Sequence, residues 1–426
     1  MHSLLTHPAD QILQMMERIY HYGMTTTSGG NVSLLDENGD IWITPTGVDK
    51  GSLRRQDIVC VKRSGEVVGL HRPSSEFPFH QQIYRQRPDL KAVVHAHPPA
   101  LVAFSMVRRL PNLYLLPNDY QICGDIGMAE YALPGSEELG QNIASVFSRG
   151  VNAVMLENHG VVIGSNTLYE AFNIFETLDY CARLEIKANR LGIPLPQGKE
   201  SIGKKMHASL DEFSPVTFSA KEKELRRDMC ELIHRAYDQK LFTSTQGTFS
   251  QRMEDGSFII TPYAVDRKHL EPEDLVRIEH GKKEAGKTPS RSVLLHQQIY
   301  ETQPHVGSII IAHPPNIMAF AVTDSDFDSR TIPESYILLR TIPKLPYGMT
   351  FHSPLETAKV FREDTPLALV ANDCIIVTGQ NLLNAFDRLE VAEYSAKALI
   401  STRCLGEIVP IDEKKIKEID IAFKLS

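Results

Sequence analysis

Three histidines and one glutamate are the residues whose types and spacing could do chemistry together. His95 and His97 flank Ala96, and on an extended strand residues two apart project from one face, so the pair offers two imidazoles to a single divalent ion. His159, in Glu157-Asn158-His159-Gly160 beside another β-rich run, can supply a third. Three protein ligands leave an open position for water or substrate, the arrangement of a catalytic zinc-type site. Glu76 follows Pro73-Ser74-Ser75 at the expected start of the helix that contains His80. There a carboxylate could simply favour the helix dipole and the orphan N–H groups; beside a metal it would be a proton-transferring base. Ser28-Gly29-Gly30-Asn31, Thr46-Gly47 and Ser74-Ser75 add glycine-exposed amides, hydroxyls and a helix N-terminus, the materials of a phosphate or oxyanion cradle. Taken singly, each of these is an ordinary turn residue, and each of the 16 histidines an ordinary surface or core side chain.

The elements that must position them can be read from periodicity. Apolar spacing predicts helices over Ile12 to Tyr22, Phe79 to Arg87 and Leu168 to Leu191, and strands over Lys91 to His95 and within Val151 to Ile163. Asn31 to Thr44 reads as a hairpin turning at Asp36-Glu37-Asn38-Gly39-Asp40. Adjacent hairpins need no crossover connections, so the expected class is mixed α/β, a largely antiparallel central sheet flanked by helices.

That architecture occurs twice. His80-Gln81-Gln82-Ile83-Tyr84 recurs as His296-Gln297-Gln298-Ile299-Tyr300, and Ala96-His97-Pro98-Pro99 as Ala312-His313-Pro314-Pro315, each 216 positions later (80 to 296, 96 to 312). Ile43-Thr44-Pro45 matches Ile260-Thr261-Pro262, and Leu168 with Ala171-Phe172 matches Leu382 with Ala385-Phe386. Between about Gly192 and Ala220 prolines and glycines interrupt any period. Two tandem copies are expected, residues 1–205 and 206–426. The duplication is an internal control: what both copies keep is expected to be structural, and what differs in chemistry is a candidate for function. The second copy has Ile311 for His95, Asp373 for His159 and Ser292 for Glu76, while His313 keeps His97. Thr248 replaces Asn31, Tyr263-Ala264 replaces Thr46-Gly47, and Arg291 replaces Ser75, yet Pro289-Ser290 keeps Pro73-Ser74. Joint loss of ligands, base and cradle suits one shared site, leaving a degenerate second copy that acts as a scaffold.

Composition narrows the partners. Forty-five basic against 53 acidic side chains give a net charge of −8, which argues against a phosphate-backbone footprint for nucleic acid. With 42% apolar and 23% charged residues, folded globular domains are expected. The start of the chain does not read as a secretory signal, and the most apolar stretch, Ser308 to Val322, is broken by His313-Pro314-Pro315-Asn316 and falls short of the ~20 residues of a membrane span. The six cysteines lack paired spacing and read as reduced thiols filling cores in a cytoplasmic protein.

In order and approximate spacing, Gly30-Asn31-Val32-Ser33, Ile43-Thr44-Pro45-Thr46-Gly47, Pro73-Ser74-Ser75-Glu76, His95-Ala96-His97-Pro98 and Asn158-His159-Gly160 resemble the class II aldolase/adducin family. The resemblance covers about residues 8–192, and a diverged copy covers about 218–402. It implies zinc on His95, His97 and His159, Glu76 as base, and phosphate on Gly30, Asn31, Thr46, Gly47, Ser74 and Ser75. The implied reaction is cleavage of a ketose 1-phosphate to dihydroxyacetone phosphate and an aldehyde through a metal-stabilised enediolate. A decarboxylase, dehydratase or 4-epimerase on the same metal platform, or a non-catalytic adducin-like module, are the alternatives; the related ribulose-phosphate 4-epimerases have aspartate where this chain has Glu76. For proton transfer the Glu76 carboxyl is expected to be desolvated and its pKa raised. The family also uses a tyrosine from a neighbouring subunit, which maps to Tyr114 and, in the second copy, to Tyr336. Family members resemble four-fold rings, so two of these chains would form a pseudo-tetramer.

Overall fold

The computed structural model describes residues 6–195 and 209–425. It divides into two compact units, one of Met1–Leu113 with Asp119–Arg183, the other of Tyr114–Asn118 with Leu184–Ser426. The copy boundary expected near residue 205 lies outside the described residues.

The first copy opens with helix α1 (Pro8–His21), whose Pro8 takes the first helical turn, where no N–H partner is lost, and whose Ala9 N–H is accepted by His7 Nδ1. That cap carries the helix four residues beyond the apolar repeat that begins at Ile12. Strands β1 (Asn31–Leu35), β2 (Ile41–Ile43), β3 (Val59–Val61) and β4 (Val67–Val68) follow, then α2 (Phe77–Gln86), β5 (Ala92–Ala96), α3 (Pro99–Met106), α4 (Pro117–Cys123), β6 (Ile126–Ala129), α5 (Glu137–Phe147), β7 (Ala153–Leu156), β8 (Val161–Ser165) and α6 (Leu168–Leu191). The strands form one eight-stranded sheet in the order β4-β3-β2-β1-β5-β8-β7-β6. Its pairings are antiparallel except β6 with β7, as the adjacent hairpins implied.

Strand alternation assigns the faces. Ser33 and Asn31 of β1 lie opposite Val93 and His95 of β5, and with Val162 of β8, which pairs with His95, they face α2. The core on that side joins Val93, Val154, Leu156 and Val162 to Phe79 and Ile83 of α2 and Leu139, Ile143 and Phe147 of α5. α1 lies against β1 and β2, and the Arg18 guanidinium sits 4.6 Å over the Phe172 ring of α6.

The second copy repeats this plan with β9 (Glu212–Phe213), α7 (Ala220–Asp238), β10 (Thr248–Arg252), β11 (Phe258–Ile260), β12 (Val276–Glu279), β13 (Lys282–Glu284), α8 (Val293–Thr302), β14 (Ser308–Ala312), α9 (Pro315–Ala321), α10 (Pro333–Leu339), β15 (Lys344–Leu345), α11 (Met349–His352), α12 (Pro354–Ala358), β16 (Leu367–Val370), β17 (Cys374–Gly379), α13 (Leu382–Thr402) and α14 (Glu413–Phe423). Its sheet runs β15-β16-β17-β14-β10-β11-β12-β13-β9, the first sheet's order with one added strand. That strand, β9, pairs parallel with β13 and covers the edge that in the first copy is β4, where Val67 and Val68 are exposed. The register repeats too, Thr248 opposite Ile311 where Asn31 lies opposite His95.

Two expectations change. Five cysteines are buried, but Cys404 is exposed, because it follows α13 where that helix has run past the core. Strand β5 ends at Ala96, so His97 lies one residue beyond it, where Pro98 and Pro99 end the strand and start α3. Among the described residues no helix is long and apolar enough to cross a membrane.

Candidate metal centre

The three histidines converge although none was required to by local structure. His95 is the next-to-last residue of β5, His97 leads into α3, and His159 lies in the turn between β7 and β8 after Asn158, which adopts a left-handed φ of 54°. One ring nitrogen from each lies within 4.8 Å of the other two. His95 is fully buried, and its Nδ1 donates to the Val161 carbonyl at 3.0 Å. That bond fixes the tautomer and leaves Nε2 as the ligand atom, the outer support that metal-binding histidines usually have. His95 Nε2 and His97 Nε2 face each other at 3.0 Å, lone-pair sites pointed at common space. Burial lowers the pKa of His97 to about 3 and of His159 to about 4, so both rings are neutral and available to a metal near pH 7.

Glu76 is the residue before α2, yet its side chain makes no helix-capping bond. It turns to the histidines instead: Oε2 accepts from Asn31 Nδ2 at 2.8 Å and lies 3.2 Å from His95 Nε2, while Oε1 is 3.7 Å from His159 Nε2. Oε1 is buried without a hydrogen-bond partner. The expected rise in its pKa is not what the structure has. Burial pushes the carboxyl up, but the adjacent His95 and His159 rings, wherever they carry a proton towards it, and the Asn31 amide outweigh that burial and hold the group well below the ordinary carboxylate range.

The cradle residues are only partly brought together. A bridge between Pro45 and Pro73 sets Thr46 and Gly47 beside Ser74 and Ser75. Thr46 N–H is spent on the Arg72 carbonyl and Ser74 N–H on that of Thr44, while Ser74 Oγ accepts from Glu76 N–H at 3.3 Å. Thr46, Gly47 and Ser75 are exposed, Ser74 buried. Gly30, at a φ of +71°, passes so close to β5 that a Cβ there would meet the His95 carbonyl at 2.8 Å. Asn31, expected on phosphate, has its side chain committed at both ends, Nδ2 to Glu76 and Oδ1 to His80 Nε2. Sequence reasoning missed His80 because the motif around it is kept in both copies and so read as architecture alone. It also missed Lys50, buried with Nζ donating to the Pro45 carbonyl at 2.6 Å. Arg267 does the same for Pro262 in the second copy, so this cation holds the loop in both. Tyr114 lies in a short 3₁₀ segment, Leu113–Leu115, and belongs with the second compact unit. The Tyr336 hydroxyl donates to Asp420 at 2.9 Å.

Asp373 replaces His159 after a left-handed Asn372 (φ 55°). It is buried and its pKa is pushed up to about 6 by that burial, against the Thr350 hydrogen bond and the Arg291 charge. Among the described residues the histidine cluster has no counterpart in the second copy.

Close approach behind the cluster is a testable requirement. A Cβ on Gly160 would lie 2.6 Å from both the Ala96 carbonyl oxygen and His97 Cδ2, so Gly160→Ala should displace His97. Metal affinity, measured by chelator competition, is expected to fall at least 10-fold, as for lost outer-shell support.

The family model described as Class II Aldolase and Adducin N-terminal domain matches residues 10–186 and again 227–400. A 5-deoxy-D-ribulose 1-phosphate aldolase of Bacillus thuringiensis serovar kurstaki is 31% identical over 47% of this chain and 96% of its own. A 3-oxo-tetronate 4-phosphate decarboxylase of Pectobacterium atrosepticum is 33% identical over 41% and 81%. An L-fuculose phosphate aldolase of Methanococcus vannielii is 33% identical over 41% and 93%. Each matches about one copy's length. The chain belongs to the class II aldolase and adducin N-terminal domain family, as a tandem duplication.

Proposed function

We propose that this chain is a metal-dependent aldolase that cleaves a ketose 1-phosphate to dihydroxyacetone phosphate and an aldehyde. The observation that carries the reading is the buried Glu76 carboxylate beside three convergent imidazoles, with Oε1 lacking any partner of its own. His95, His97 and His159 would hold a divalent ion, Zn²⁺ before others because three imidazoles with an open fourth position suit it. When bound, that ion supplies Lewis-acid stabilisation of the negative charge that develops on the ketose oxygens. Glu76 exchanges the proton at the carbon that becomes part of dihydroxyacetone phosphate, and a tyrosine exchanges the proton of the hydroxyl that becomes the aldehyde oxygen. In the cleavage direction the hydroxyl proton passes through the tyrosine to the Glu76 carboxylate, which returns it to that carbon, so both groups end as they began. The Thr46 hydroxyl, the Gly47 amide and Ser75 receive the phosphate, with Ser74, Gly30 and Asn31 shaping the pocket behind them. The test is bound metal by elemental analysis, followed by dihydroxyacetone phosphate release across a panel of ketose 1-phosphates.

A decarboxylase is the second reading, favoured by a 3-oxo-tetronate 4-phosphate decarboxylase as similar as the aldolases. The same ion and acid would serve loss of CO₂ from a 3-oxo acid phosphate. Metal without ketose cleavage, but with CO₂ release, would select it.

We also propose a homodimer that forms a pseudo-tetramer in the cytoplasm, with the second copy as a pseudoenzyme scaffold. Within the second compact unit Asn372 Nδ2 donates to the Leu115 carbonyl at 2.9 Å, and Asn118 Nδ2 donates to Asp373 Oδ1 at 3.2 Å. The Tyr114 segment thus covers the position that corresponds to His159. By the duplication, the Tyr336 segment of a second chain would cover His159 itself. Tyr336→Phe is expected to lower turnover without releasing metal; an unchanged rate would remove Tyr336 from the reaction.

A further inference from the structure

A run of buried hydrogen bonds lies beneath the histidine cluster. The Tyr84 hydroxyl meets Ser33 Oγ at 2.7 Å, Ser33 Oγ meets His80 Nδ1 at 2.7 Å, His80 Nε2 meets Asn31 Oδ1, and Asn31 Nδ2 donates to Glu76 Oε2 at 2.8 Å. The proton positions follow from the far end. A carboxylate only accepts, so Asn31 must turn its NH₂ to Glu76 and its carbonyl to His80. That carbonyl only accepts, so His80 Nε2 carries the hydrogen. The ring is fully buried and hydrogen-bonds no acid, so it holds a single proton, Nδ1 accepts from Ser33, and Ser33 accepts from Tyr84. Every link then points the same way, and chained bonds of one sense reinforce one another. Oε2 of Glu76 is the terminal acceptor, which leaves Oε1 as the oxygen turned to the reacting groups.

The second copy dissects the chain. Tyr300, Ser250 and His296 repeat the same contacts at 2.6 and 2.7 Å, so the Tyr–Ser–His run is shared architecture. Beyond it, Thr248 stands for Asn31 and bonds to Ser290 at 2.7 Å, Ser292 stands for Glu76, and His296 Nε2 is buried with no partner. The extension from imidazole to carboxylate exists only where the three histidines do.

We propose that His80 is a positioning residue for the reaction: through Asn31 it fixes the rotation of the Glu76 carboxylate, so that Oε2 is pinned and Oε1 is presented. This rests on the reading of Glu76 as the proton-transferring group, and the test separates the two. In ¹⁵N-histidine NMR of the full chain, Glu76→Gln should move the Nε2–H resonance of His80, two hydrogen bonds away, and leave that of His296 in place. With a substrate from the panel, His80→Leu should lower kcat about 10–100-fold, the usual cost of lost outer-shell support, with KM and bound metal unchanged. His80→Gln, which restores an N–H donor at the Nε2 position, should recover most of the rate, and His296→Leu should not lower it. A His80 resonance indifferent to Glu76→Gln overturns the proposal, as do equal losses in His80→Leu and His296→Leu. If His80→Leu does not fold, the resonance and the His80→Gln rate still decide. Coupled resonances with no turnover on any substrate would retain the positioning role and remove the aldolase reading.

Discussion

Glu76→Gln is expected to abolish most turnover while the protein keeps its metal and its fold. The substitution preserves size and can still accept from Asn31 Nδ2 through its amide oxygen, so the contact at 2.8 Å survives. What is lost is an oxygen able to take and return a proton, and removing a positioned acid–base group costs about 10²–10⁴-fold. The loss should fall on kcat more than on KM, since the residues proposed to receive the phosphate are others. Elemental analysis and a coupled assay for dihydroxyacetone phosphate on the same preparation check both halves. A rate within a few fold of wild type would remove Glu76 from the proton transfer.

His159→Ala should empty the centre. Loss of even outer-shell partners weakens metal about 10–100-fold, and here one of three ligands goes. The half-buried ring also lies 4.9 Å from both His95 and His97, so its removal opens the pocket to water as well. Because metal bound only by the folded state stabilises it, chelator should lower the melting temperature of the wild type and leave His159→Ala unmoved. Asp373→His is the matching control. It restores the lost ring in the second copy, but Ile311 still stands for His95 and Ser292 for Glu76, so no second metal should appear. Equal metal content in wild type and His159→Ala would mean that the ion, if any, sits elsewhere.

The duplication made much of this site legible without coordinates. A position that changes from His to Ile in one copy while its neighbours stay put cannot be kept for packing in the other, and by that comparison His95, His159 and Glu76 stood out from the remaining histidines and acids. The same comparison hid His80. Its ring is retained in both copies by the Ser33 and Ser250 hydroxyls, and only the partner of its second nitrogen differs. Identity of residue type carries no information on what a ring bonds with its other side.

The chain's own order of residues determined that two copies exist, the main helices, hairpin and strands of the first, that the sheet would be mainly antiparallel, and which residue types could meet on a metal. Those properties depend on local periodicity and on the comparison of like with like, both of which are written along the chain. Tertiary structure alone decided that Glu76 leaves its helix end for the imidazoles, that Asn31 is spent on the carboxylate and His80, and that the carboxyl is held down instead of raised. Direction of a side chain, partners of a polar atom and the sign of a pKa shift are set by groups distant in sequence, where burial and opposite charge act against each other over a few ångströms.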